Sequence, residues 1–163
     1  MPRTDYQLNI VPSILDRLLD NEPEVSREPL SNRFQDLRAL KKAVTRDLEA
    51  LLNTRQEVLE ELPAEFTELS RSLITYGLPD FSSLSLLSPH DRSRIRRALE
   101  QAIAAFEPRL ERVRVTPESP REHNYTLRFR VEGWLRLEPA PEPVTFDTIL
   151  RLNTHEYVIE GHD

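Results

Sequence analysis

Cysteine is missing from this 163-residue chain, and glycine is nearly so, with only three. Without cysteine there is no disulfide framework and no thiolate metal site. With so little glycine there is neither a GxGxxG nor a GxxxxGK[ST] loop, which removes the commonest nucleotide-binding motifs. Nor is there an excess of Lys and Arg: the net charge is −6, whereas general nucleic-acid binding needs a basic face. No apolar run approaches the roughly 20 residues of a membrane span. The opening MPRTDYQLNIVP has no long apolar stretch and no small-residue cleavage site. The expectation is therefore no signal peptide and a cytoplasmic protein. The four histidines, His90, His123, His155 and His162, include no pair at i, i+4 on a helix, and no GxSxG occurs. No metal, cofactor or small-molecule substrate is expected.

What is present is 38% hydrophobic and 31% charged residues, a globular balance with a lean core. The order of patterns gives an arm and one domain. Residues 1–33 form the arm. Within it SILDRLLDNEP carries a Ser13/Asp16 cap signature and an apolar stripe, Ile14, Leu15, Leu18 and Leu19, closed by Pro23. A helix this short is not stable alone. It either folds back on the domain or docks on another protein. The polar, proline-bearing DNEPEVSREPLSNR, residues 20–33, tethers it.

Residues 34–163 form the domain. Leu37, Leu40, Val44, Leu48 and Leu51 predict a helix from about Asp36 to Leu52, closed near Asn53. A shorter helix is expected from about Ala64 to Tyr76, ended by Gly77 and Pro79. Ser88, Pro89 and Asp91 then mark a helix start, and Ile95, Ala98, Leu99, Ala102, Ile103 and Phe106 supply its stripe. Pro108 disfavours the helical region at Glu107, so this helix ends there. Its arginines, Arg92, Arg94, Arg96 and Arg97, fit a solvated face with Arg96 and Glu100 paired.

After Glu107 the period changes from 3.6 to 2. Residues 111–115, 125–137, 144–152 and the end of 153–161 read as strands. In YTLRFRVEGWLRL, Tyr125, Leu127, Phe129, Val131, Leu135 and Leu137 share one face; Thr126, Arg128, Arg130, Glu132, Trp134 and Arg136 share the other. Gly133 suggests a bulge. Trp134 on the charged face is either an interface anchor or covered by the chain's own helices. Helices first and a small, mostly antiparallel sheet last is an α+β fold, with N-terminal helices packed on a C-terminal sheet.

At the joint of helix and sheet stand Glu107, Pro108 and Arg109. An acid at a helix C-terminus is unfavourable by about 0.3–1 kcal/mol, which Arg109 can offset. Proline restrains the triplet. It is either punctuation or a preorganised docking element, which loses little entropy on binding. Among 28 acidic residues no catalytic spacing stands out, so the chain reads as a non-enzyme.

In order, SILDRLLD, RDLEALLNTR, SLITYGLPDFSSLSL, AIAAFEPRLERVRV and EPAPEPVTFDTIL resemble the TssE family, from about Ser13 to Ile159. These are the baseplate wedge subunits of bacterial type VI secretion systems. They group with phage contractile-tail wedge proteins once labelled lysozyme-like. Glu107-Pro108-Arg109, with YGLPD before it and EPAPEPVTFDT after it, is the most specific part of the likeness. The resemblance implies a structural protein without turnover, in a baseplate near the inner membrane. Its implied partners are TssF and TssG in the wedge and TssB and TssC of the first sheath ring. It further implies sheath nucleation by strand addition, with Glu107, Pro108 and Arg109 tied to assembly. Glu107→Ala is then expected to keep the fold and block the sheath. The alternative is a murein-degrading, lysozyme-like hydrolase with Glu107 as its acid.

Overall fold

Two capped helices and a meander of four strands make up the core in a computed structural model, which describes residues 10–19, 24, 36–57, 65, 67–85, 88–118, 126–151 and 156–161. Apart from Glu24, the expected 20–33 tether lies outside these residues, as do Tyr125, His123, His155 and His162.

Helix α2, Leu37–Asn53, starts where Asp36 accepts a hydrogen bond from Ala39 N at 2.7 Å. A side chain that satisfies one of the first free N–H groups is what fixes such a start. The stripe Leu40, Val44, Leu48 and Leu51 is buried. Helix α3, Pro89–Phe106, begins at Ser88, whose hydroxyl accepts from Asp91 N, with Pro89 in the first turn. Ile95, Leu99, Ala102 and Ile103 are its buried side. Both helices begin where the cap residues place them.

Between them the expected single helix over Ala64–Tyr76 is absent from the described part. Thr67–Arg71 and Leu73–Thr75 are two short 3-10 turns. Gly77 does not cap an α-helix. It takes φ +105°, and a Cβ there would lie 2.4 Å from Thr54 O. Leu78 N donates to that same Thr54 O, and Gln56 N to Leu78 O, both at 2.8 Å. The segment is held by the end of α2, which overrides its local helical pattern.

The sheet order is β1-β2-β3-β4, every pair antiparallel: Leu110–Pro117, Thr126–Leu135, Glu142–Arg151 and Glu156–Gly161. The fold is α+β. Phe129, Val131 and Leu135 of β2 meet Val144, Phe146 and Leu150 of β3 on the inner face, and join both helices in one core. The expected bulge exists, but on the neighbour of Gly133. Glu111 pairs with Trp134 and Arg114 with Glu132, so Arg112 and Val113 together oppose Gly133. Arg112 takes φ +53° to make room for the extra residue.

Both sheet edges are engaged by helix side chains. On β4, Asn53 Oδ1 accepts from Tyr157 N at 2.8 Å and its Nδ2 donates to Tyr157 O at 2.9 Å. One turn earlier, Glu49 Oε1 accepts from Ile159 N at 3.0 Å. On β1, Glu100 Oε1 accepts from Val115 N at 3.0 Å. Helices α2 and α3 thus bond the opposite margins of the sheet as well as filling its inner face.

Candidate functional site

Helix α3 ends at Glu107, whose N–H donates to Ile103 O at 2.9 Å. Its carbonyl then accepts from Leu110 N at 3.1 Å, which turns the chain into β1. Pro108 cannot extend the helical ladder and points outward. Arg109 is thereby placed over the Glu107 side chain. Glu107 Oε1 accepts from Arg109 N at 3.1 Å and from Nε at 2.7 Å, and Oε2 accepts from Nη2 at 2.5 Å. The fork of a guanidinium on a carboxylate gives both strength and fixed direction. Glu107 is 3% exposed, so the unfavourable acid at the helix end is turned inward and fully bonded. The carbonyl of Arg109 also accepts from Arg136 N at 2.8 Å, which ties the joint to the end of β2.

The sequence reading missed the third partner. Asp47 of α2 accepts from Arg109 Nη2 at 2.6 Å. Its other oxygen accepts from Arg46 Nε at 2.9 Å and faces Arg46 Nη2 at 2.7 Å. Arg46 Nη1 in turn donates to Asp16 Oδ1 at 2.7 Å. Asp16, Arg46, Asp47, Arg109 and Glu107 form one alternating chain of charges. Nothing local signals it, because its long links span 30 and 62 residues of sequence. The only hint is an Arg-Asp pair on the polar face of α2.

The electrostatics follow from this chain. Arg109 is held well above its ordinary value, first by its hydrogen bond to Glu107, against a smaller opposing effect of burial, and then by Asp47. Arg46 is raised chiefly by Asp47. Burial pushes the Asp16 carboxyl up, but the Ser13 hydroxyl and Arg46 together outweigh it and leave it lowered. Tyr76, of the YGLPD stretch, sets its ring edge-on to Phe106 at 5.2 Å. Burial raises its phenol, and the Asp47 and Glu107 charges raise it further.

The remaining expected site residues fall into two groups. Helix α1 spans Ile14–Leu18, with Ser13 accepting from Asp16 N at 3.1 Å. It folds back, but through its polar side: Asp16 meets Arg46, while Ile14 and Leu18 are 77% and 76% exposed. Leu15 and Leu19 are exposed as well. Of the two uses open to the apolar stripe, packing on the domain is not the one seen: the stripe points away from it. Trp134 lies on the outer face of β2, opposite Glu111 on one side and Pro143 on the other, and is 38% exposed. The helices cover the other face, so they do not bury it.

The arrangement suits holding a shape. A general acid must present a proton to its substrate. Glu107 instead receives three donors from a permanently charged residue and is shut from solvent. Among the described residues no His, Asp and Glu side chains gather in a group that could hold a metal ion.

No curated protein matches the chain in sequence. Among solved structures, a chain of the baseplate complex from the type VI secretion system aligns at 21% identity, covering 74% of this chain and 95% of that one, with a TM-score of 0.46. The family model described as baseplate wedge protein gp25 matches residues 38–140, which run from the start of α2 through the Glu-Pro-Arg joint to the end of β2 and beyond. With well over half of its length inside that match, the chain belongs to the baseplate wedge protein gp25 family.

Proposed function

We propose that this protein is the wedge subunit of a type VI secretion baseplate and joins the wedge to the first sheath ring. The observation that carries the reading is the Glu107-Pro108-Arg109 joint. It is a charged element fixed in direction by Glu107 and Asp47, yet Arg109 remains part-exposed at the surface. Such an element loses little freedom when a partner takes it. The family to which the chain belongs supports a structural role in a baseplate, without turnover. The quoted stretches from SILDRLLD to EPAPEPVTFDTIL support the type VI branch of it.

In this role TssF and TssG are the wedge neighbours, and TssB and TssC are the sheath partners, all in the cytoplasm against the inner membrane. The outward stripe Ile14, Leu15, Leu18 and Leu19 docks on one neighbour, as amphipathic helices do in apolar grooves. Trp134 supplies a second apolar contact on the outer sheet face. Sheath nucleation proceeds by strand addition. A strand entering at β4 takes the hydrogen bonds now made by Asn53 and Glu49; one entering at β1 takes that of Glu100.

Affinity capture of the tagged full chain from its own cells, read by mass spectrometry, tests the partners. Recovery of TssF, TssG and sheath proteins is the expected result. Fluorescence of a tagged sheath protein tests the joint: an Arg109→Ala strain is expected to assemble few or no sheaths. Capture of the chain alone, together with normal sheaths in that strain, overturns the reading.

A further inference from the structure

Asp47 gives each of its two oxygens to a different guanidinium: Oδ1 to Arg46 and Oδ2 to Arg109. Arg46 is shared in the same way, between Asp47 and Asp16 of α1. Helix α1 is only five residues long and keeps its apolar side in solvent, so the Asp16–Arg46 pair is what ties the helix itself to the domain, while Ile10 before it packs against the core. Suppose that tie is broken. Arg46 then has one acid left, and a guanidinium fork fits both oxygens of a carboxylate. Closing that fork on Asp47 takes Oδ2 from Arg109. The reverse also holds. When Arg109 leaves Asp47, Asp47 can grip Arg46 with both oxygens and draw it from Asp16.

We propose that Asp47 is a positioning residue that couples the two docking elements, so that seating or lifting α1 sets how firmly Arg109 is held at the Glu-Pro-Arg joint. This rests on reading α1 and the joint as docking elements. The coupling is reciprocal, because a link between two equilibria acts equally in both directions. A partner that lifts α1 frees Arg109 for a second contact, and a partner that engages Arg109 releases α1. The wedge subunit therefore accepts its neighbours cooperatively through one acid.

The test is nuclear magnetic resonance on the full chain alone, with arginine side chains labelled by 15N. Glu107 and Asp47 both hold Arg109 Nη2, so rotation about its Nε–Cζ bond is slowest while both acids are in place and quickens when Asp47 lets go. In Asp16→Asn, amides of residues 14–18 are expected to lose protection. Arg109 rotation is expected to quicken about two- to tenfold, the lower part of the range for side chains that share a partner. The amides of β2 and β3 stay unchanged, and Asp16→Glu restores both signals. In Asp47→Asn the same Asp16→Asn change has no further effect at Arg109; if that variant does not fold, the Asp16 series decides alone. Release of α1 with unaltered Arg109 rotation overturns the proposal, and so does an α1 that stays seated in Asp16→Asn. No partner enters this experiment, so its failure leaves the baseplate reading standing, and failure of the capture experiment leaves the coupling standing.

Discussion

Glu107 sits where the dipole of α3 is negative, a position that costs an acid about 0.3–1 kcal/mol. Three donors from Arg109 offset that cost and the further cost of burying the carboxylate. The triplet is therefore structural as well as exposed to partners, and Glu107→Ala carries a stability cost that sequence reasoning did not include. Removing one member of a buried pair costs about 3–5 kcal/mol when the other charge is left without compensation. Here Asp47 remains and Arg109 is part-exposed, so the loss is smaller. Glu107→Gln is expected to lower stability by about 1.5–3 kcal/mol, the range for a hydrogen bond to a charged group. Arg109→Lys is expected to act similarly, because an ammonium cannot fork. Urea unfolding of both variants measures this, with an unchanged slope showing that the folded shape persists. Loss of sheath assembly in a variant that keeps most of its stability separates docking from folding.

At the scale of elements, Arg112 carries the clearest local strain. It opens the β1 bulge with φ +53°, where a side chain other than glycine costs about 1 kcal/mol. It is exposed and faces outward, so Arg112→Gly is expected to raise stability by several tenths to about 1 kcal/mol, after the unfolded chain's gain in freedom is subtracted. Thermal unfolding reads this as a midpoint higher by roughly 1–4 °C; a lower midpoint would show that the arginine makes a contact worth more than the strain. Gly133 did announce a bulge, yet the extra residue lies on the opposite strand, and a Cβ at Gly133 would meet Glu111 O at 3.4 Å and Val113 at 3.7 Å, ordinary contacts that do not force it. The start of α3 was legible because a cap is a contact between residues three apart, and that of α2 because its apolar stripe begins there. The period-2 strands were legible because one face of the sheet is dry and the other wet. The two 3-10 turns were not, since Gly77 and Leu78 answer to Thr54 of another element. The stripe of α1 was legible as a stripe but not in its direction, which Asp16 and Arg46 decide across 30 residues.

For the whole molecule the deciding contacts are those that close the sheet. They join residues 104 and 110 apart in sequence, which no local pattern reveals. A strand edge with free N–H and C=O groups pairs with whatever strand it meets. The β1 edge is blunted several ways: by its bulge, by the missing N–H of Pro117 and by Glu100 on Val115 N. The β4 edge has an apolar run, Tyr157-Val158-Ile159, and relies on α2. The Asn53 carboxamide offers Tyr157 the same acceptor and donor that a neighbouring peptide group would offer. It therefore holds the place of a strand without continuing the sheet. Asn53→Ala combined with Glu49→Ala removes that substitute while leaving the buried stripe of α2 in place. The expected outcome is faster hydrogen exchange at Tyr157 and Ile159, a stability loss of about 1–3 kcal/mol from three hydrogen bonds on part-exposed groups, and self-association that grows with concentration in sedimentation. The amides of β2, in the middle of the sheet, keep their protection. If the double variant stays monomeric and Tyr157 and Ile159 stay protected, α2 shields the edge by bulk alone, and a sheath strand entering at β4 would have to move the helix rather than replace two side chains.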